Sequence, residues 1–283
     1  MKNVKQTAEA VLQMDTYLRG KIAEADNPNA KAMLWENTYI KKQIYKREQG
    51  GIFTVSDHIR AMVYSMLTSG ASWVRVLDNT DIATGQIPIV DEIFYQYNAD
   101  TLLKTDPNKL KNDLLSQTLG TQYIENQMKA LVSVNIGKLI AYNTEYGSID
   151  NFYKQFIDTD STAKALVKVL SAEGKPHKFA QLREALVAEY LRNVGYDIAK
   201  PDRHIRRILG SDILACSDKQ EVPIYEAFDI VKAIAEELGK RTAEVDYILW
   251  SYCANGYGAV CTKDKPKCDN CIVNQCFYRN NKI

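Results

Sequence analysis

Residues 261–276 read Cys261-Thr262-Lys263-Asp264-Lys265-Pro266-Lys267-Cys268-Asp269-Asn270-Cys271-Ile272-Val273-Asn274-Gln275-Cys276. The cysteines follow the spacing Cys-x6-Cys-x2-Cys-x4-Cys. A loop this short has no strand or helix of its own to hold it. The spacing makes sense when four sulfurs, Cys261, Cys268, Cys271 and Cys276, converge on one metal centre, because metal-binding free energy then becomes folding free energy.

Two disulfides are the competing reading. The N-terminus, Met1-Lys2-Asn3-Val4-Lys5-Gln6, runs into an amphipathic stretch without the apolar core of a secretory signal, and no window reaches transmembrane length. The expectation is a cytoplasmic protein, nucleoid-associated in a prokaryote, with no membrane partner. In that compartment structural disulfides are rare and cysteine clusters more often bind metal. Cys216 and Cys253 lie in apolar contexts of helical type and read as buried core thiols. Four thiolates suit either tetrahedral zinc or a cubane cluster. Only Cys268-Asp269-Asn270-Cys271 is a zinc-type knuckle, and the longer flanking gaps wrap a larger object more naturally. The spacing therefore favours [4Fe-4S] over zinc.

At 283 residues the chain is long enough for one large domain or two smaller ones. Its net charge of +1 gives no whole-molecule field to draw in nucleic acid, so any polyanion site must be a local basic patch. The 17 tyrosines fall mostly on apolar helix faces and read as core packing rather than as base-stacking platforms.

The apolar periodicity is helical nearly throughout, which makes the chain all-α. Residues 58–67 place Ile59, Met62, Val63, Met66 and Leu67 on one face, with Ser56 as N-cap. Asp106-Pro107 is a cap followed by proline at the first helical position. Met128, Leu131, Val132, Ile136, Leu139 and Ile140 continue one stripe over 128–140. Leu182, Leu186, Val187, Tyr190, Leu191 and Val194 form another, ended by Gly195. Phe228, Val231, Ile234 and Leu238 mark a further helix. The best strand candidate is Gly85-Gln86-Ile87-Pro88-Ile89-Val90. The first 50 residues read as a polar helical extension, packed on the body and ending at a linker or hinge at Gly50-Gly51.

A second stretch carries chemistry. Lys200-Pro201-Asp202-Arg203-His204-Ile205-Arg206-Arg207-Ile208-Leu209 starts a helix with Asp202 in the N-cap slot and basic residues around it. A carboxylate there is first of all a cap. It can also stabilise a developing cation or orient a nucleophile.

Lys265-Pro266-Lys267-Cys268-Asp269-Asn270-Cys271-Ile272 resembles the cluster loop of the endonuclease III family of DNA glycosylases. Pro201-Asp202-Arg203-His204-Ile205-Arg206-Arg207 is similar to that family's Val-Asp-Thr-His-Ile-x-Arg signature, and the two motifs stand in the family's order. The resemblance implies a helix-hairpin-helix glycosylase fold: two helical subdomains with a cleft between them and a C-terminal [4Fe-4S] loop. It implies an N-terminal helical extension and first part of the cluster subdomain over 1–56, a helical barrel subdomain over 57–196, and a cluster subdomain over 197–283. Asp202 would face the cleft as the catalytic carboxylate. Cys261, Cys268, Cys271 and Cys276 would hold the cluster. The partner would be double-stranded DNA containing a lesion, bound by a monomer that flips the damaged base and cleaves its glycosidic bond. Lys200, Arg203, Arg206 and Arg207 around the helix start, with Lys263, Lys265 and Lys267 on the cysteine loop, would meet phosphates.

The departures from the family bear on mechanism. Its hairpin normally reads Leu-Pro-Gly-Val-Gly, often followed by a catalytic lysine. Here Lys178-Phe179-Ala180-Gln181-Leu182-Arg183-Glu184 stands instead, without either glycine and with Glu184 in the lysine slot. Lys175 and Lys178 are out of register and read as solvated charges. The family's Leu-x-x-Gln loop signature is replaced by Leu67-Thr68-Ser69-Gly70-Ala71-Ser72, and the last cysteine gap is one residue short. With no amine to form a Schiff base, the expected enzyme is a monofunctional glycosylase. The alternatives are a bifunctional glycosylase/AP lyase and a non-catalytic damage-recognition protein on the same scaffold. An electron-transfer protein and a zinc-bound structural module are further alternatives.

Overall fold

The fold was established from a computed structural model, which describes residues 1–70, 72–157 and 163–280. Ala71 of the expected loop signature lies outside them. In chain order the helices are α1 Val4–Ala23, α2 Tyr39–Glu48, α3 Val55–Leu67, α4 Trp73–Asp78, α5 Pro88–Ile93, α6 Ala99–Leu103, α7 Pro107–Ser116 and α8 Ile124–Ala130. They continue as α9 Ile136–Tyr146, α10 Ile149–Lys154, α11 Lys164–Ser171, α12 Glu184–Asn193, α13 Arg203–Ile208, α14 Ile224–Leu238, α15 Thr242–Cys253 and α16 Phe277–Asn280. No strand occurs among the described residues. None of these helices is long and apolar enough to cross a membrane.

The packing divides the chain into two units, Met1–Asn37 with Asp197–Ile283, and Thr38–Tyr196. Residues 38–56, expected with the N-terminal extension, belong to the second unit. The cause is α2, which packs on α12: a Cβ on Gly195 would lie 2.4 Å from the Gln43 carbonyl oxygen, so only glycine permits that approach. Gly195 has φ +83° and ends α12 in a Schellman arrangement, with Gly195 N–H on Arg192 O and Tyr196 N–H on Leu191 O. Gly50-Gly51 repeats that geometry at the end of α2, with bonds to Arg47 O and Lys46 O. It is a helix cap rather than a hinge.

In the second unit α3 is buried on nearly every side and packs against α12. Its cap is Thr54, not Ser56: Thr54 Oγ1 accepts the Asp57 N–H and Asp57 Oδ2 accepts the Thr54 N–H, which closes a capping box two residues earlier. Asp106 caps α7 as expected. The stretch 85–90 is not extended, because Pro88 opens α5 at the helical position that needs no N–H. The single helix expected over 128–140 is interrupted by a π-helical turn at Leu131–Asn135.

In the first unit α15 is the central helix, buried at Ala243 and from Val245 to Cys253 and covered by α1, α13 and α14. Burial of each large aliphatic side chain along it contributes about 1.5–3 kcal/mol. Its C-terminal end delivers Tyr252 and Cys253 to the cysteine loop.

Candidate functional site

The segment leading to α13 is pinned onto α15. Asp197 accepts the Ala243 N–H at 2.8 Å, which caps α15, and buried Asp246 accepts the Lys200 N–H at 2.8 Å. Two residues later Asp202 adopts an extended backbone. Its Oδ1 accepts the His204 N–H at 2.8 Å and the Ile205 N–H at 3.3 Å. Oδ2 accepts no hydrogen bond among the described residues. One oxygen of a half-buried carboxylate is thus spent on the cap and the other remains available. Burial holds the neighbouring His204 imidazole below its ordinary value, with Asp202 opposing, so it is biased toward the neutral form.

Residues 210–222 fold back on α13 through Leu214 N–H to Ile208 O, Cys216 N–H to Leu209 O and Val222 N–H to Arg206 O. Gly210 is required there, since a Cβ would lie 2.0 Å from the Gln220 carbonyl oxygen. Cys216 sits in this irregular segment rather than in a helix. It is buried beside Thr7 Oγ1 at 3.1 Å, and burial pushes its thiol up to about 11.

The cysteine loop returns to the end of α15 by Val260 and Cys261 N–H bonds to Tyr252 O. A 3-10 turn at Cys268–Asn270 and the short α16 are its own secondary structure. The four loop cysteines are unpaired by disulfide and line one cavity of about 760 Å³. Among the described residues, no three His, Cys, Asp or Glu side chains close on one point as ligands of a single ion. Two of the sulfurs carry donors. The Tyr252 hydroxyl donates to Cys271 Sγ at 3.2 Å, and Arg207 Nη1 lies 3.7 Å from Cys261 Sγ while its Nη2 donates to the Cys261 carbonyl. Cys253 is buried as expected, and it also lines the cavity, which its apolar sequence context did not indicate. The sulfur-rich end of α15 becomes visible only once the loop is folded back.

The seven expected phosphate-binding residues fall into different environments. Arg203, Lys263, Lys265 and Lys267 are exposed. Lys200 is buried. Arg206 is engaged by Val222 O at 2.7 Å and Glu221 at 3.0 Å, and Arg207 by Cys261. The first unit thus joins the Asp202 helix to the cysteine loop through Arg207, five residues after the aspartate.

In the second unit, residues 172–183 connect α11 to α12, and Glu184 is the first residue of α12. Lys178 is not solvated: its ammonium donates to Phe179 O at 3.2 Å and Leu182 O at 3.1 Å. Lys138 donates to Lys178 O at 2.8 Å, and Asn135 exchanges two bonds with the Ala180 backbone. Gln181 takes φ +62°, a left-handed position that glycine usually fills.

No protein-family model matches the chain, and no curated protein matches it. Among solved structures, a similar chain is the Methanocaldococcus jannaschii 8-oxoguanine glycosylase/lyase in complex with 15-mer DNA containing 8-oxoguanine. The similarity has 19% identity, covers 78% of this chain and 95% of that chain, and has a TM-score of 0.47.

Proposed function

We propose that this chain is a DNA glycosylase that hydrolyses the N-glycosidic bond of a damaged or mismatched base, acts without a Schiff-base lysine, and carries a [4Fe-4S] cluster in its C-terminal loop. The observation that carries this reading is the Arg207 bridge. The two motifs behind the resemblance, about 60 residues apart in sequence, meet in one unit through a guanidinium bonded to Cys261.

The donor set fits the cluster. Cys261, Cys268, Cys271 and Cys276 offer four free thiols around one cavity, and Tyr252 and Arg207 place donors against two of the sulfurs. When bound, the cluster supplies cohesion to a loop with little secondary structure of its own and a redox-active centre. The bond-breaking chemistry belongs to Asp202. As the glycosidic C1′–N bond lengthens, the bond pair leaves with the base and positive charge develops on the sugar. The carboxylate stabilises that charge. Its Oδ2 also accepts a proton from water as the water oxygen bonds to C1′, and passing that proton on to the departing base anion gives the free base and an abasic site and restores the carboxylate.

Glu184 supplies no amine, so strand cleavage by β-elimination has no agent among the expected residues. The exposed Arg203, Lys263, Lys265 and Lys267 would neutralise phosphates locally. The non-catalytic alternative is favoured by the hairpin at 172–183, whose carbonyl oxygens already bond the Lys138 and Lys178 ammoniums.

Purified protein assayed on duplexes carrying oxidised pyrimidine, oxidised purine, alkylated or mismatched bases separates these readings. The expected result is base release from one lesion class, with strand scission only after alkali. Stoichiometric borohydride trapping of a covalent protein–DNA adduct would overturn the monofunctional part. Intact affinity for lesion DNA with no base release would establish the non-catalytic reading.

A further inference from the structure

Tyr252 stands one residue before the end of α15 and is 1% exposed. Two separate parts of the cysteine loop bond to it. Its carbonyl oxygen accepts the Val260 and Cys261 N–H groups at 3.0 and 3.2 Å, where the loop begins. Its hydroxyl reaches the Cys268–Cys271 knuckle, donating to Cys271 Sγ at 3.2 Å and accepting the Ile272 N–H at 3.3 Å. The ring is held edge-on by Tyr17 of α1, with centroids 5.8 Å apart and planes at 75°. A packed side chain on the central helix is thus aimed at one sulfur of the quartet.

We propose that Tyr252 is a positioning residue for the cluster centre, fixing the Cys271 sulfur and, as its hydrogen-bond donor, raising the centre's reduction potential. This rests on the cluster reading above. A phenol has one proton to give and lone pairs to accept with. The Ile272 N–H takes an accepting position, and a ligating Cys271 is a thiolate without a proton, so the hydroxyl proton goes to the sulfur. Reduction of a thiolate-bound cluster adds negative charge that spreads onto the sulfurs, and a donor stabilises that more negative state. Hydrogen bonds to ligating sulfurs are therefore one of the determinants of cluster potential. This one is made by a buried hydroxyl, where a hydrogen bond is electrostatically stronger than in water.

The test is the midpoint potential and electron paramagnetic resonance spectrum of the loaded, full-length protein after anaerobic reconstitution, with iron and sulfide content measured alongside. Wild type is compared with Tyr252→Phe, with Tyr17→Phe, and with protein in which a ring-fluorinated tyrosine replaces Tyr252. The Phe variant at Tyr252 keeps the ring and loses the donor, so its potential should become more negative and its spectrum should change. The fluorinated ring is a stronger O–H donor of nearly the same shape, so its potential should move the opposite way. Tyr17→Phe removes a hydroxyl from the neighbouring ring and should match wild type. An unchanged potential in the fluorinated protein or in loaded Tyr252→Phe would overturn the proposal. So would shifts of the same sign in both, or an equal shift in Tyr17→Phe, since packing rather than the donor would then be responsible. A wild type that takes up no iron would instead sink the cluster reading, and this inference with it.

Discussion

At the scale of single residues, Asp202 has two separable roles. Its Oδ1 caps α13 and its Oδ2 remains available for chemistry. Asparagine caps a helix about as well as aspartate but carries no negative charge. Asp202→Asn should therefore leave thermal stability nearly unchanged while lowering base release by about 100-fold or more. Asp202→Ala should lose about 1 kcal/mol of stability as well. Equal losses of stability in the two variants would show that the cap is not what they differ in. His58 gives a pH dependence of its own. It is fully buried, bonded to the Tyr190 hydroxyl at 2.6 Å, and burial lowers its pKa from 6.5 to about 4. Below pH 6.5 the unfolded chain takes up a proton that the folded chain refuses until about pH 4. This contribution is complete above pH 6.5 and is lost as the pH falls through the 6.5–4 window, by about 3 kcal/mol in all. Denaturant titrations of wild type and His58→Gln at several pH values check this, since the variant should show a shallower acid slope in that window.

At the scale of elements, the π-helical turn has a use. It brings Asn135 to Ala180, where the amide accepts the Ala180 N–H at 2.8 Å and donates to its carbonyl at 3.0 Å. Asn135→Ala should leave both backbone groups without these partners and cost about 1–3 kcal/mol. Hydrogen exchange should rise first within 172–183; protection there equal to wild type would refute the link. Helix content, the Asp106 cap and the Gly195 terminus were legible in the sequence because each rests on local chemistry: apolar period, side-chain capping and positive φ. The π turn was not, because the stripe of Leu131, Val132 and Ile136 reads the same with one extra residue in a turn. The engaged state of Lys178 was hidden for a related reason: its partners are main-chain carbonyls, which carry no sequence signal. The stretch 85–90 was ambiguous because a short apolar run does not distinguish a strand from a buried helix start.

At the scale of the whole molecule, the first unit is assembled from both ends of the chain, with α1 packed on α14 and α15. The cysteine quartet and Asp202 were readable from sequence by spacing and context. Their connection through Arg207, and the fifth sulfur at Cys253, were not, since both depend on how the loop folds back. Within this unit the cysteine loop has little regular structure of its own. Chelating iron from the reduced protein should raise exchange in 261–280 while leaving α1, α14 and α15 protected. Uniform protection before and after chelation would contradict a cohesive metal centre. Neutralising Lys263, Lys265 and Lys267 should weaken duplex binding for all sequences alike. It should also flatten the salt dependence of binding by about 0.9 in the logarithmic slope for each phosphate no longer neutralised. The central claim is that the Asp202 carboxylate breaks a glycosidic bond. It is tested most directly by single-turnover base release from the preferred lesion duplex, wild type against Asp202→Asn, with iron content matched. The prediction is release by wild type and near-complete loss in the variant; equal release by both, or none by the cluster-loaded wild type on any lesion, would contradict it.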